Sequence, residues 1–237
     1  NEDGTIPIEL LEKGIRHLDI HSPPTRLICL ENTHNFCQGS PLSPEYMGTV
    51  QGLANKYGLK IHLDGARIFN AAVALKIPVS ELTEKVDSVM FCLSKGLSAP
   101  VGSLVCGSFE FIEKARKIRK MVGGGMRQAG HLAAPGIIAL NDLVKRLEED
   151  HENAKYLAQH ISQIEGIQVD ESKIKTNILF FKLKGFDRNS FLEKLEENQI
   201  KILMTNNVEG IFRAVLHRDV SKEQVKTVIN TFKSILA

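Results

Sequence analysis

Leu59-Lys-Ile-His-Leu-Asp-Gly-Ala-Arg-Ile-Phe-Asn-Ala-Ala-Val-Ala-Leu75 is the stretch from which the fold is read. Leu59 to Leu63 is a short apolar run, Asp64-Gly65 is a turn pair, and Arg67 to Leu75 is alanine-rich and helical. The same alternation continues on both sides. Arg26 to Glu31 reads as a buried strand, and Pro44 to Tyr57 as a helix with Pro near its start and Gly58 as its stop. Ser88 to Leu93 and Val101 to Cys106 are further apolar runs. Phe109 to Val122 follows as a helix with Phe111, Ile112, Ala115, Ile118 and Val122 on one inward face. Strands alternating with helices in this way predict an α/β layer sandwich on a mainly parallel sheet.

The character changes near residue 140. Leu140, Leu143, Val144, Leu147, Ala154, Leu157, Ala158 and Ile161 form a long helical stripe. Strand-like runs follow at Thr176–Leu183, Ile200–Met204 and Ile211–Val215, and helices at Asn189–Glu197 and Lys222–Leu236. Ser221 and Gln224 stand at capping-box spacing before the last helix. The expected organisation is a large domain over 1–139 and a smaller α+β domain over 140–237.

Composition removes several function classes. Of 237 residues, 43% are hydrophobic and 24% charged, enough apolar material for a core without disulfides. The balance of 30 Lys+Arg against 28 Asp+Glu, a net charge of +2, gives no general case for nucleic acid or membrane partners. The basic run from Lys114 to Arg127 lacks interleaved aromatic residues for base stacking and reads as a solvated helix face. No apolar stretch has the length of a membrane span. The cysteines are not spaced for zinc, and no metal site is expected. Cys29, Cys92 and Cys106 lie in apolar runs and are expected to be buried free thiols, which fits a reducing, cytoplasmic compartment. Cys37 sits in a polar loop near His34, which leaves a Cys/His nucleophilic pair open as a minor alternative.

The residues with chemical potential stand where strands end. Asp64 closes a short buried strand, and ligands of parallel sheets bind beyond the carboxyl ends of strands. Arg67 supplies a planar, two-pronged donor for a carboxylate or phosphate. Lys95 ends the most apolar strand and enters a glycine-containing loop. There it is either a desolvated nucleophile or a lysine that reaches solvent along its flexible stem. Together, a lysine and a carboxylate at strand ends match the needs of pyridoxal phosphate. That cofactor takes an amine for its Schiff base and a carboxylate to keep its ring nitrogen protonated.

Four ordered segments then carry a resemblance. Leu30-Glu-Asn-Thr-His-Asn35, His62-Leu-Asp-Gly-Ala-Arg-Ile-Phe-Asn-Ala71, Phe91-Cys-Leu-Ser-Lys-Gly-Leu-Ser-Ala-Pro-Val-Gly-Ser103 and Arg119-Lys-Met-Val-Gly-Gly-Gly-Met-Arg-Gln-Ala-Gly130 closely resemble the threonine aldolases. These are pyridoxal-phosphate enzymes of the aspartate aminotransferase fold, fold type I, related to the β-eliminating lyases. The resemblance extends to Phe212-Arg-Ala-Val-Leu-His-Arg-Asp-Val-Ser221. It implies a three-layer, mainly parallel sheet and a smaller α+β C-terminal domain.

The resemblance also implies roles. Lys95 looks like the Schiff-base lysine and Asp64 like the partner of the ring nitrogen. Arg67 resembles the arginine near the cofactor's phenolic oxygen and the substrate carboxylate, and Arg213 the second carboxylate-binding arginine. His34 resembles the histidine that meets the substrate's β-hydroxyl. Arg127 looks like a residue presented to a neighbouring subunit's cofactor site, so a homo-oligomer, dimer or tetramer, with shared active sites is implied. The implied reaction is retro-aldol Cα–Cβ cleavage of threonine or allo-threonine, a β-hydroxy-α-amino acid, to glycine and acetaldehyde. It would serve threonine catabolism and glycine biosynthesis.

Three departures stand out. Phe36-Cys-Gln-Gly-Ser40 has one glycine where the family commonly has a pair, and Ser98 fills a position usually held by glycine. The chain opens Asn-Glu-Asp-Gly without Met, and the family's amino-terminal phosphate-binding turn and ring-stacking histidine are not in it. The expectation is therefore an amino-terminally truncated aldolase, with a catalytically incomplete isoform or pseudoenzyme as the alternative.

Overall fold

The stretch that opens the sequence reading folds as strand, turn and helix. In the computed structural model, which describes residues 1–206 and 210–236, the strand runs Lys60–Asp64 and the helix Ile68–Leu75. Two compact units divide the chain: Asn1–Cys37 with Pro41–Lys145, and Gln38–Ser40 with Arg146–Ala237.

In chain order the first unit holds α1 (Ile8–Lys13), β1 (Leu27–Glu31), α2 (Pro44–Tyr57), β2 (Lys60–Asp64), α3 (Ile68–Leu75), α4 (Val79–Thr83), β3 (Ser88–Cys92), β4 (Ser103–Gly107), α5 (Phe109–Met121) and α6 (Gly130–Ile138). Its sheet has the order β1-β2-β3-β4, with β1, β2 and β3 parallel and β4 antiparallel to β3. Local chemistry sets the boundaries of α2. Ser43 accepts a hydrogen bond from the Tyr46 amide, Pro44 occupies the first turn, and Gly58 stops the helix in the left-handed region at φ 65°. The core joins Ile28 and Leu30 of β1, Ile61 and Leu63 of β2, and Met47, Val50 and Leu53 of α2.

Two expectations fail on burial. Cys29 and Cys106 are exposed and Cys92 is only partly covered. Side chains alternate across a strand, so Ile28 and Leu30 take the core face and Cys29 the opposite one. β4 lies at the sheet edge and is exposed along its length. The helix α5 likewise buries none of its residues, and Ile118 and Val122 are 57% and 77% exposed. Its apolar stripe has the helical period, but among the described residues no layer covers it. The basic side chains of α5 are solvated, with Lys114 paired to Glu110 and Arg116 to Glu113.

The second unit contains α7 (Leu147–Ile161), β5 (Ile167–Val169), β6 (Ile178–Leu183), α8 (Arg188–Glu197), β7 (Leu203–Asn206), β8 (Ile211–Val215) and α9 (Lys222–Leu236). Its sheet is antiparallel throughout, in the order β5-β6-β8-β7. Aromatic rings fill the core: Phe181 stacks on Phe212 at 5.1 Å, and Phe191 meets Phe212 edge-on at 5.5 Å. The capping box forms, since the Gln224 amide donates to Ser221 Oγ and the Ser221 amide to Gln224 Oε1.

The expected strand at Ile200–Met204 begins later, at Leu203. The Ile200 amide still bonds Leu195 O at the exit of α8, and Ile200 and Ile202 pack on the core from there. The stripe that starts at Leu140 is also divided. Ala139–Leu143 is a π-helical stretch that belongs to the first unit, and α7 begins at Leu147.

Two ionisable groups are buried side by side on α7. Asp150 is fully buried, accepts from Arg146 Nη1 at 3.1 Å, and has a pKa raised to about 6, above all by burial. Arg146 and His217 pull it back, and Glu149 pushes it further. His151 is buried too, and its pKa is lowered to about 4 by burial and then by Lys155.

The signs are opposite. The raised Asp150 pKa gives a contribution complete below pH ~4 and lost as pH rises through about 6. The depressed His151 pKa gives one complete above pH ~6.5 and lost as pH falls through about 4. Each is on the order of 3 kcal/mol and they offset one another. Urea unfolding followed by circular dichroism between these pH limits is expected to show a nearly flat midpoint for the wild type. The midpoint should rise with pH in Asp150→Asn and fall with pH in His151→Gln. Separately, a Cβ at Gly65 would lie 2.8 Å from Met90 O, so Gly65→Ala is expected to cost about 1–3 kcal/mol by the same measurement.

Candidate active site

The parallel strands β1 and β2 end together, Glu31 pairing with Asp64, and Asp64 pairs with Met90, from which β3 runs on to Cys92. Backbone bonds carry the ladder past the strand ends. The Asn32 amide donates to Asp64 O at 2.8 Å, and the Gly65 amide to Met90 O at 2.8 Å. Three loops therefore leave the sheet from one edge, which is where parallel sheets hold ligands.

Asp64 is partly buried at this edge. Its Oδ1 accepts from the Ala66 amide at 3.0 Å, and among the described residues no donor is bonded to Oδ2. Gly65 allows the tight exit toward α3, since its site has no room for a side chain. Arg67, half-buried, is the residue from which α3 starts. His62 lies on the same strand face as Asp64 and is held by Ser88, with Nδ1 2.8 Å from Ser88 Oγ.

Lys95 lies in the loop after β3. The Leu93 amide donates to Gly102 O, the Ala99 amide to Leu93 O and the Ser98 amide to Lys95 O, while Leu97 and Ala99 are buried beneath. The Lys95 side chain stands exposed above that closed loop, and among the described residues its amine has no ion-pair partner. Its two sequence readings thus resolve toward an accessible amine on a well-held backbone. Ser98 sits in the left-handed region at φ 59°, a conformation that glycine takes without strain.

His34 lies in the loop after β1, half-buried, followed by a 3₁₀ turn at Asn35–Cys37. A residue that the sequence reading did not single out holds this loop. Asn32, fully buried, donates from Nδ2 to Leu42 O at 3.2 Å and accepts from the Leu42 amide at 3.1 Å. Its place inside Glu-Asn-Thr-His-Asn was the available signal.

Arg127 is exposed in the bend between α5 and α6. Arg213 belongs to the second unit, on β8, where it points away from the face that buries Phe212 and Ala214. Asp64, Arg67, Lys95 and His34 thus share the carboxyl edge of one sheet, and Arg213 is carried by the other. Among the described residues no cluster of metal-ligating side chains forms, and no helix is long and apolar enough to cross a membrane.

The family model for β-eliminating lyases matches residues 1–184. The low-specificity L-threonine aldolase 1 of Arabidopsis thaliana is 42% identical over 240 residues, covering 99% of this chain and 66% of its own length. The low specificity L-threonine aldolase of Escherichia coli K12 is 41% identical over 235 residues, covering 99% and 68%. Among solved structures, the threonine aldolase of Leishmania major superposes with a TM-score of 0.79 at 18% identity, over 100% of this chain and 69% of that one. That likeness concerns the fold alone. The chain spans about two thirds of the length of the curated relatives it matches. A strand-end lysine and aspartate on a parallel sheet, and this extent of sequence identity, lead to one conclusion: the chain belongs to the β-eliminating lyase family and, within it, to the threonine aldolases.

Proposed function

We propose that the protein carrying this chain is a pyridoxal-phosphate-dependent aldolase that cleaves threonine or allo-threonine to glycine and acetaldehyde. The observation that carries this reading is a pair of groups at neighbouring strand ends, the Asp64 carboxylate at the end of β2 with its Oδ2 open among the described residues and the exposed Lys95 amine in the loop after β3. The residues present fit the cofactor. Lys95 would hold it covalently through Nζ, Asp64 would keep its ring nitrogen protonated through the open Oδ2, and Arg67 would lie near its phenolic oxygen. When bound, pyridoxal phosphate supplies an electron sink for the pair released as Cα–Cβ breaks.

The chain's own side chains do the rest. Arg67 and Arg213 hold the substrate carboxylate by charge-assisted bonds, Arg213 on the strength of the resemblance alone. His34 serves the β-hydroxyl, either by taking its proton or by orienting the water that takes it. In the same reading the first unit is the larger, cofactor-binding part and the second the small domain. Arg127 reaches a neighbouring subunit's site in a homotetramer, and the enzyme works in the cytoplasm on threonine catabolism and glycine formation. The alternative of a catalytically incomplete form draws no support from the relatives, which are named as aldolases.

The test is chemical labelling. After incubation with pyridoxal phosphate and reduction with borohydride, peptide mass spectrometry is expected to find a phosphopyridoxyl group on Lys95 and none in Lys95→Ala. Asp64→Asn is expected to keep the label and to release glycine from threonine about 100-fold more slowly or worse. A label placed elsewhere, or glycine release untouched by Lys95→Ala, refutes the reading.

A further inference from the structure

Both ring nitrogens of His34 are engaged, and by groups of different kinds. Nδ1 lies 3.3 Å from Cys37 Sγ, and Nε2 lies 3.5 Å from Glu31 Oε2. The 3₁₀ turn creates this arrangement by folding Cys37 back under the ring, with the Cys37 amide donating to His34 O at 3.2 Å. Gly4 closes the other side, where a Cβ would touch both His34 Cβ and Cys37 Cβ at 3.6 Å.

The chemistry of the partners selects one protonation pattern for the neutral ring. An ionised carboxylate only accepts, so Nε2 carries the hydrogen toward Glu31. Nδ1 then holds a lone pair; the single Cys37 S–H has two acceptors in reach, Asn1 O at 3.8 Å and Nδ1 at 3.3 Å, and it donates to the nearer ring nitrogen. The reverse tautomer would set the Nε2 lone pair against a carboxylate. Burial is the largest influence on the Cys37 thiol and pushes its pKa up; Asp3 and Glu31 add to this, against the opposing Asn1 amine. The sulfur therefore remains a donor rather than a thiolate nucleophile, which disfavours the Cys/His hydrolase alternative. Glu31 and His34 are about one-third exposed, so the longer Nε2 contact lies open to exchange with solvent or a ligand.

We propose that Cys37 is a positioning residue for His34: its S–H bond to Nδ1 fixes the ring so that Nε2–H is the face offered to the substrate's β-hydroxyl, with Glu31 holding that hydrogen until substrate arrives. The inference rests on the aldolase reading and deepens it. It makes His34 a hydrogen-bond donor that orients the hydroxyl or its water, and it places specificity for the hydroxyl in the loop Phe36-Cys-Gln-Gly-Ser40, which has one glycine where the family commonly has a pair.

The experiment compares wild type, Cys37→Ala and Cys37→Ser by nitrogen-15 histidine spectroscopy and by threonine cleavage. The His34 Nδ1 resonance is expected to move toward that of a free acceptor nitrogen in Cys37→Ala and to return in Cys37→Ser, whose hydroxyl also donates. The kcat for threonine is expected to fall about tenfold in Cys37→Ala, as for loss of a partner behind a working histidine, and to recover in Cys37→Ser. Lys95 labelling should be equal in all three proteins. An Nδ1 resonance unchanged in Cys37→Ala, or a serine variant no better than alanine, overturns the positioning role. Failure of wild-type Lys95 to label overturns the aldolase reading on which it rests.

Discussion

Two backbone hydrogen bonds beyond the ends of the strands set the geometry on which the rest depends. Asn32 to Asp64 and Gly65 to Met90 carry the parallel ladder past the ends of β1 and β2, so the chain leaves these two strands in register while β3 runs on to Cys92 beside them. Ladder bonds at this point constrain main chain, and main chain is what aims the first side chain of a loop. Asp64 is thereby fixed between the loop that carries His34 and the strand that leads to Lys95. The lack of space at Gly65 belongs to the same constraint. A side chain there would push on Met90 O and shift β2 against β3.

Around this edge the supports differ in kind. Lys95 is positioned by a closed loop whose apolar residues Leu97 and Ala99 anchor it from below. His34 is positioned by polar contacts: the two bonds between Asn32 and Leu42 hold its loop, and Cys37 and Glu31 hold its ring. An amine that must bond a ligand needs reach, whereas an imidazole that must present one particular nitrogen needs orientation. In the second unit the phenylalanine cluster supplies rigidity, and strand alternation turns Arg213 to the face that this cluster does not occupy.

The apolar stripe of α5 shows the limit of periodicity as a guide. Phe111, Ile112, Ala115, Ile118 and Val122 repeat with the helical period and predict an inward face, yet α5 is exposed. Period tells which residues share a face, and only a neighbouring layer decides whether that face is buried. Cys29 makes the same point on a strand. It lies in a run of apolar residues, but alternation sends it away from Ile28 and Leu30. In both places hydrophobicity alone does not bring burial, which needs a packed layer on that face.

The sequence by itself determined what depends on contacts within a few residues. Pro44 and Gly58 bound their helix, Ser221 and Gln224 cap theirs, and the Asp-Gly turn joins β2 to α3, because caps and turns are satisfied by near neighbours. It also determined the chemical inventory, since an amine, a carboxylate, an imidazole and two guanidiniums at these positions are legible without coordinates. Only the tertiary structure decided which of them meet. The shared strand edge of Asp64 and Lys95 arises from pairing between distant segments. The thiol and carboxylate around His34 come from a turn whose dihedrals no residue pattern announced, and the left-handed backbone of Ser98 is imposed by the closure of its loop. Local preference cannot specify such features, because their energy lies in contacts that exist only once the sheet has formed.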